Sequence, residues 1–138
     1  MIHQILSHQI FSILTIIGTW QYAGFQFEGK SYPLPNPELV LQFTFVEDQT
    51  VHLKWYRKNE PGFCERKGVY IIKEDLLWQR ITWVNPENDV SCAGDPDMQL
   101  GRESATRILK VNDRLGLVFD LDGKELLYLL EKVDPAMH

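Results

Sequence analysis

Residues 104–133 read SATRILKVNDRLGLVFDLDGKELLYLLEKV. Three apolar runs, 104–111, 115–121 and 126–133, are separated only by turns built on Asn112-Asp113 and Asp122-Gly123. Such dipeptides tolerate the positive φ angles that two-residue hairpin turns demand. No helical crossover fits in so little chain, so the three runs predict three antiparallel strands in sequence. The same pattern repeats toward the N-terminus. Residues 76–84 form a further run carrying Trp78 and Trp83, and residues 64–73 set Val69 and Ile71 against Tyr70 and Ile72. In residues 51–56, Val51, Leu53 and Trp55 alternate with His52, Lys54 and Tyr56, the period of a half-buried strand. Leu41, Phe43 and Phe45 share a face in 39–46, and 19–27 is an aromatic-rich first strand. Turn formers stand between these runs at 47–49, at Asn59, Pro61 and Gly62, and at Glu74-Asp75. Two connections are longer. Gly29, Pro33, Pro35 and Pro37 mark irregular or extended backbone, and 85–102 is acidic and rich in turn formers.

Eight strands joined in this way predict an all-β fold, an eight-stranded antiparallel up-and-down meander barrel. Closure removes the exposed sheet edges. A barrel of this size is either filled by its own side chains or just able to hold one small ligand. The 138 residues suffice for one domain, and 44% hydrophobic residues supply a core. Net charge is −5, with no basic stripe, which argues against a nucleic-acid partner. The longest basic pair is Arg66-Lys67.

Residues 1–17, MIHQILSHQIFSILTII, stand apart from the barrel at 18–138. Ile2, Leu6, Ile10, Ile13 and Ile17 recur at helical spacing. A short N-terminal helix capping the barrel mouth fits this pattern. A leader-like export segment and a remnant of a longer leader are the other readings, although no Lys or Arg precedes the apolar run. Polar residues interrupt the run, against an integral membrane span. Cys64 and Cys92 permit one disulfide, with two buried thiols as the alternative. Both flank polar loops, and the meander returns the chain beside Cys64 just before Cys92. A bond requires Cα atoms about 4.4–6.8 Å apart.

Gly18-Thr19-Trp20 opens the first strand, and this triplet in front of eight strands resembles the G-x-W signature of lipocalins. The chain looks most like the short bacterial lipocalin-like domains of the calycin superfamily. The resemblance implies that Gly18 and Trp20 are structural, with the indole closing one end of the barrel beneath the lead-in. Departures are visible. Asn112-Asp113-Arg114 stands where the family carries T-D-Y, and the late arginine that stacks on the tryptophan is missing, leaving Lys132 or Arg114 as substitutes. Fatty-acid-binding proteins also open with GTW, but they need a helix pair where this chain has Pro33, Pro35 and Pro37.

No nucleophile–base arrangement or G-x-S-x-G turn is present, so no catalytic residue is assigned and the chain reads as non-enzymatic. His3 and His8 lie in the lead-in, His138 is terminal, and His52 faces away from the apolar side of its strand. No Cys/His cluster suggests zinc, and Asp95-Pro96-Asp97 lacks the spacing of an EF-hand calcium loop, so neither a metal nor a cofactor is called for. Parity along the strands points Tyr22, Trp55, Gln79, Trp83, Phe119 and Leu129 inward as candidate ligand-binding residues. An inward Gln79 amide needs a partner. Two functions follow. One is the binding or carriage of a small apolar molecule in an extracytoplasmic space, periplasmic or secreted. The other is a packed-core structural or protein-interaction domain that works through its loops, with an unknown protein partner. A cavity of roughly 300 Å³ or more would separate the first from the second.

Overall fold

The computed structural model describes residues 13–134. Its strands are β1 (Gly18–Phe27), β2 (Lys30–Pro33), β3 (Leu39–Phe45), β4 (Thr50–Arg57), β5 (Cys64–Lys73), β6 (Leu76–Val84), β7 (Glu103–Val111), β8 (Arg114–Leu121) and β9 (Lys124–Val133). All pairings are antiparallel. Each strand from β3 to β9 pairs with the next, and β1 pairs with both β3 and β9, which closes an eight-stranded barrel. Of the expected lead-in, residues 1–12 lie outside the described residues, as do His3, His8 and His138. Ile13–Ile16 form a single helical turn ahead of β1.

Strand β2 departs from the expected irregular connection. Glu28 (φ 51°) and Gly29 (φ 79°) make a two-residue turn that folds β2 back on the second half of β1. Every β2 residue is exposed, so no alternation betrays it in the sequence, and Pro33 occupies the end of an edge strand, where proline is tolerated. Phe25 stacks on Tyr32 across this hairpin. The β1–β3 ladder covers only residues 18–21 against 42–45, and beyond it β1 turns to β2. The wall therefore parts between Tyr22 and Leu41.

The other end is filled. Ile16 is fully buried, and its carbonyl accepts the indole N–H of Trp20 at 2.7 Å. Trp20 is 3% exposed and belongs to one core with Phe45, Val51, Tyr70, Leu115 and Leu130. Lys132 Nζ lies 5.4 Å from the centre of the Trp20 ring, so Lys132 covers the indole, while Arg114 lies 3.5 Å from Glu131. Gly18 follows from this arrangement. Its φ is +129°, and a Cβ there would meet Lys132 Cε at 2.7 Å.

Candidate functional site

Above this packed end the barrel holds a cavity of about 260 Å³. Alternation along each strand supplies its wall. Leu39, Leu41 and Phe43 come from β3, and Leu53 and Trp55 from β4. On the far side β8 gives Leu117 and Phe119, and β9 gives Tyr128 and Leu130. Tyr22 meets Tyr128 edge-on with ring centres 5.2 Å apart, and Phe119 packs on Tyr128 at 5.0 Å. Burial, then the neighbouring Tyr128, raises the Tyr22 phenol above its ordinary value.

Among the described residues, the only charged side chains in this wall, Asp95 and Asp97, come from the 85–102 loop. Two short 3-10 turns, Val90–Gly94 and Pro96–Met98, shape it. Asp95 caps the second turn by accepting from the Asp97 amide, and its other oxygen accepts the Trp55 indole N–H at 3.0 Å. Asp97 is exposed as a residue, yet crowding around its carboxyl, then Asp95, raises it above the ordinary carboxylate range, with Arg66 and Arg102 opposing. Cys64 and Cys92 are bonded, with Cα atoms 5.7 Å apart, and tie the loop to the start of β5. This is the staple the meander order predicts. Among the described residues no three His, Cys, Asp or Glu side chains are grouped as a metal site requires.

The root of the loop is clamped to Glu65. The Glu65 amide donates to Asn88 Oδ1, Asn88 Nδ2 returns a bond to the Glu65 carbonyl, and Asn85 Nδ2 donates to the Glu65 carboxylate at 2.7 Å. His52 Nε2 lies 2.6 Å from the other carboxylate oxygen. Burial alone would raise this carboxyl, but the bonds from Asn85 and His52 and the charges of His52 and Lys54 leave it below its ordinary value of 4.5. A depressed folded value means that the unfolded chain binds more protons at acid pH. The stabilisation is therefore complete above the unfolded value and lost as pH falls through the folded one. Urea midpoints at neutral pH and at about pH 3 should show a larger acid loss in the wild type than in Glu65→Gln. Equal losses would show that the ionised Glu65 carboxylate contributes nothing to stability.

Of the six inward candidates, the structure brings Tyr22, Trp55 and Phe119 together around the cavity. The other three lie elsewhere. Gln79 points inward but accepts from Arg66 Nη2 at 3.0 Å and is not part of the cavity wall. Trp83 is on the outer surface, 38% exposed beneath Lys67. Ile81 pairs with Gly68 and Trp83 with Lys67, so Thr82 is an extra residue that reverses the parity of β6 beyond it. Leu129 takes the face opposite Tyr128 and Leu130, between Gly24 and Gly116 of the neighbouring strands. The run LLYLL in β9 is apolar on both faces, so its parity is not readable locally. Sequence reasoning missed Arg66, which points into the barrel at 2% exposure. Its signal was present: Arg66 shares parity with Cys64, Gly68, Tyr70 and Ile72.

No protein-family model matches the chain, and no curated protein matches it. Among solved structures the chain is similar to a lipocalin-like protein from Bacteroides uniformis, with 17% identity and a TM-score of 0.54 over 86% of this chain and 99% of that one. It is also similar to an uncharacterized protein from Bacteroides eggerthii, with 16% identity and a TM-score of 0.49 over 86% and 99% of the two chains. At 17% identity the likeness to the Bacteroides uniformis protein is one of architecture alone, and the architecture is that of a lipocalin-like eight-stranded barrel.

Proposed function

We propose that this protein is a non-enzymatic barrel that binds or carries a small, mainly apolar molecule, held among Tyr22, Trp55 and Phe119. The observation that carries this reading is the cavity itself. One half of the interior is close-packed, whereas the other keeps about 260 Å³ lined by aliphatic and aromatic side chains, with polar groups concentrated at the loop. Ligand sites have this composition. At about 260 Å³ the cavity does not reach the roughly 300 Å³ expected of a binding interior, so the reading rests on its lining and requires a compact ligand. The disulfide suits an oxidising space outside the cytoplasm. Among the described residues no helix is long and apolar enough to cross a membrane.

Native mass spectrometry of protein purified from its own host is the direct test. The expected spectrum contains a non-covalent adduct of small mass. In Leu41→Trp, which fills the cavity from β3, the adduct should disappear and affinity should fall at least about tenfold, while the thermal melt stays near that of the wild type. An adduct retained at full occupancy by Leu41→Trp would move the site elsewhere.

A further inference from the structure

The outer face of β5 and β6 carries an open groove of about 410 Å³ that shares no wall residue with the interior cavity. Val69 and Ile71 of β5 and Trp78 of β6 are its apolar side chains, and all three are exposed. Ile71 and Trp78 are cross-strand partners, and Trp78 is 44% exposed. On its other side Trp78 pairs with Ala105 of β7, which offers only a methyl group to cover the indole. The other outer tryptophan, Trp83, lies beneath Lys67. Trp78 has no ring, cation or hydrogen-bond partner among the described residues. Polar groups surround it. The turn between β3 and β4 is held to β5 by the Tyr70 amide, which donates to the Gln49 carbonyl at 2.9 Å, and this brings Asp48 and Gln49 to the groove. Asp48 is fixed by Thr50, whose amide and hydroxyl both donate to its Oδ1. Arg80 and Glu103 also border the groove. They are cross-strand partners of opposite charge, yet neither belongs to any ion pair among the described residues. The side chains of Gln49, Arg80 and Glu103 have no hydrogen-bond partner there, so their donors and acceptors are open to a ligand.

We propose that this groove is a second binding site, for a pyranose sugar, whose C–H face stacks on Trp78 while its hydroxyls bond to Asp48, Gln49, Arg80 and Glu103. The chemistry of the groove matches the two-sided chemistry of the ring. Carbon-bound hydrogens on a sugar face are slightly positive and meet the negative face of an indole. The hydroxyls at the rim both donate and accept, and here they meet carboxylates that accept, a guanidinium that donates and an amide that does both. Bonds to the charged members of this set are the strong ones. Other occupants fit less well. A peptide strand needs a free sheet edge, but β5 and β6 are each paired on both sides. A stable interface with a second copy takes about 20–30 residues a side, and the groove exposes only three apolar side chains. The site is independent of the interior cavity and stands whether or not that cavity binds a ligand.

Isothermal titration calorimetry with lactose, cellobiose and N,N′-diacetylchitobiose tests the assignment. At least one of the three should bind the wild type at concentrations up to about 10 mM. Trp78→Ala should weaken that binding at least about tenfold, and Trp78→Phe by less. Trp83→Ala removes an equally outward tryptophan that lies outside the groove, and should bind as the wild type does. Trp78 is a surface residue, so its variants should melt near the wild type. If Trp78→Ala nevertheless fails to fold, Arg80→Met and Glu103→Gln decide in its place, each with an expected loss of about three- to tenfold. Absence of binding by all three sugars would overturn the proposal. So would binding that survives Trp78→Ala, or that Trp83→Ala weakens equally. A dimer seen by sedimentation velocity and abolished by Trp78→Ala would give the face to a second copy and overturn it as well.

Discussion

Trp20→Ala should unfold the protein or lower its melting temperature sharply. Truncating a buried tryptophan costs about 3–5 kcal/mol, against a total stability of about 5–15 kcal/mol for a domain. Trp20 meets the conditions for the full cost. It is 3% exposed, and its indole N–H is bonded to the carbonyl of a fully buried Ile16. The substitution would leave a void at the packed end of the barrel and remove the surface on which Lys132 lies. Trp20→Phe keeps an aromatic ring and loses the N–H bond and some contact area, so its effect should be smaller. Thermal melts followed by circular dichroism separate the two variants. An alanine variant melting with the wild type would show that the indole seals nothing, and would favour a role for Trp20 in contacting a partner.

The second large effect concerns the disulfide. Replacing both Cys64 and Cys92 by serine should cost about 3–4 kcal/mol, the chain-entropy value for a closed loop of this length; the two residues are 28 positions apart. The cost should be accompanied by a functional loss. The bonds of Asn85 and Asn88 to Glu65 would still hold the root of the loop, but the tether at Cys92 would be gone. The bond from Trp55 to Asp95 and the burial of Met98 in the core would then hold the tip. Ligand affinity should fall together with stability, and reduction of the wild type should reproduce both changes. Denaturant unfolding with and without reductant measures the first, and titration with a fluorescent apolar probe such as N-phenylnaphthylamine the second. A double variant within about 0.5 kcal/mol of the wild type, the scatter of ordinary surface substitutions, would show that the rest of the loop's bonding suffices.

The strands were legible because nearly every one has one dry and one wet face, and a period of two survives even where propensity is mixed. Val51, Leu53 and Trp55 against Lys54 and Tyr56 needed no tertiary information. The position of the Cys64–Cys92 pair was legible for a related reason, since meander order alone brings the end of β6 back beside the start of β5. The candidate site was legible only in part. Parity turns Tyr22, Trp55 and Phe119 inward, and the structure brings them to one cavity, because no irregularity intervenes between them and the core positions of their strands. Trp83 and Leu129 escaped the same rule for different reasons: one lies beyond a bulge, and the other lies in a run with no polar residue to mark a face. The four tryptophans show the consequence. Trp20 is core, Trp55 is cavity wall, and Trp78 and Trp83 are on the outside.

The sequence by itself determined the number, order and antiparallel connection of the barrel strands, because these depend on local periodicity and turn chemistry. Only the tertiary structure decided that the interior is half filled and half open, that Lys132 covers Trp20, and that Arg66 sits beside the cavity under the influence of Asp95 and Asp97. These outcomes depend on where one-residue bulges reverse a strand and on which long, charged side chains meet across the barrel. Both are settled by contacts between residues far apart in the chain, and no local pattern encodes them.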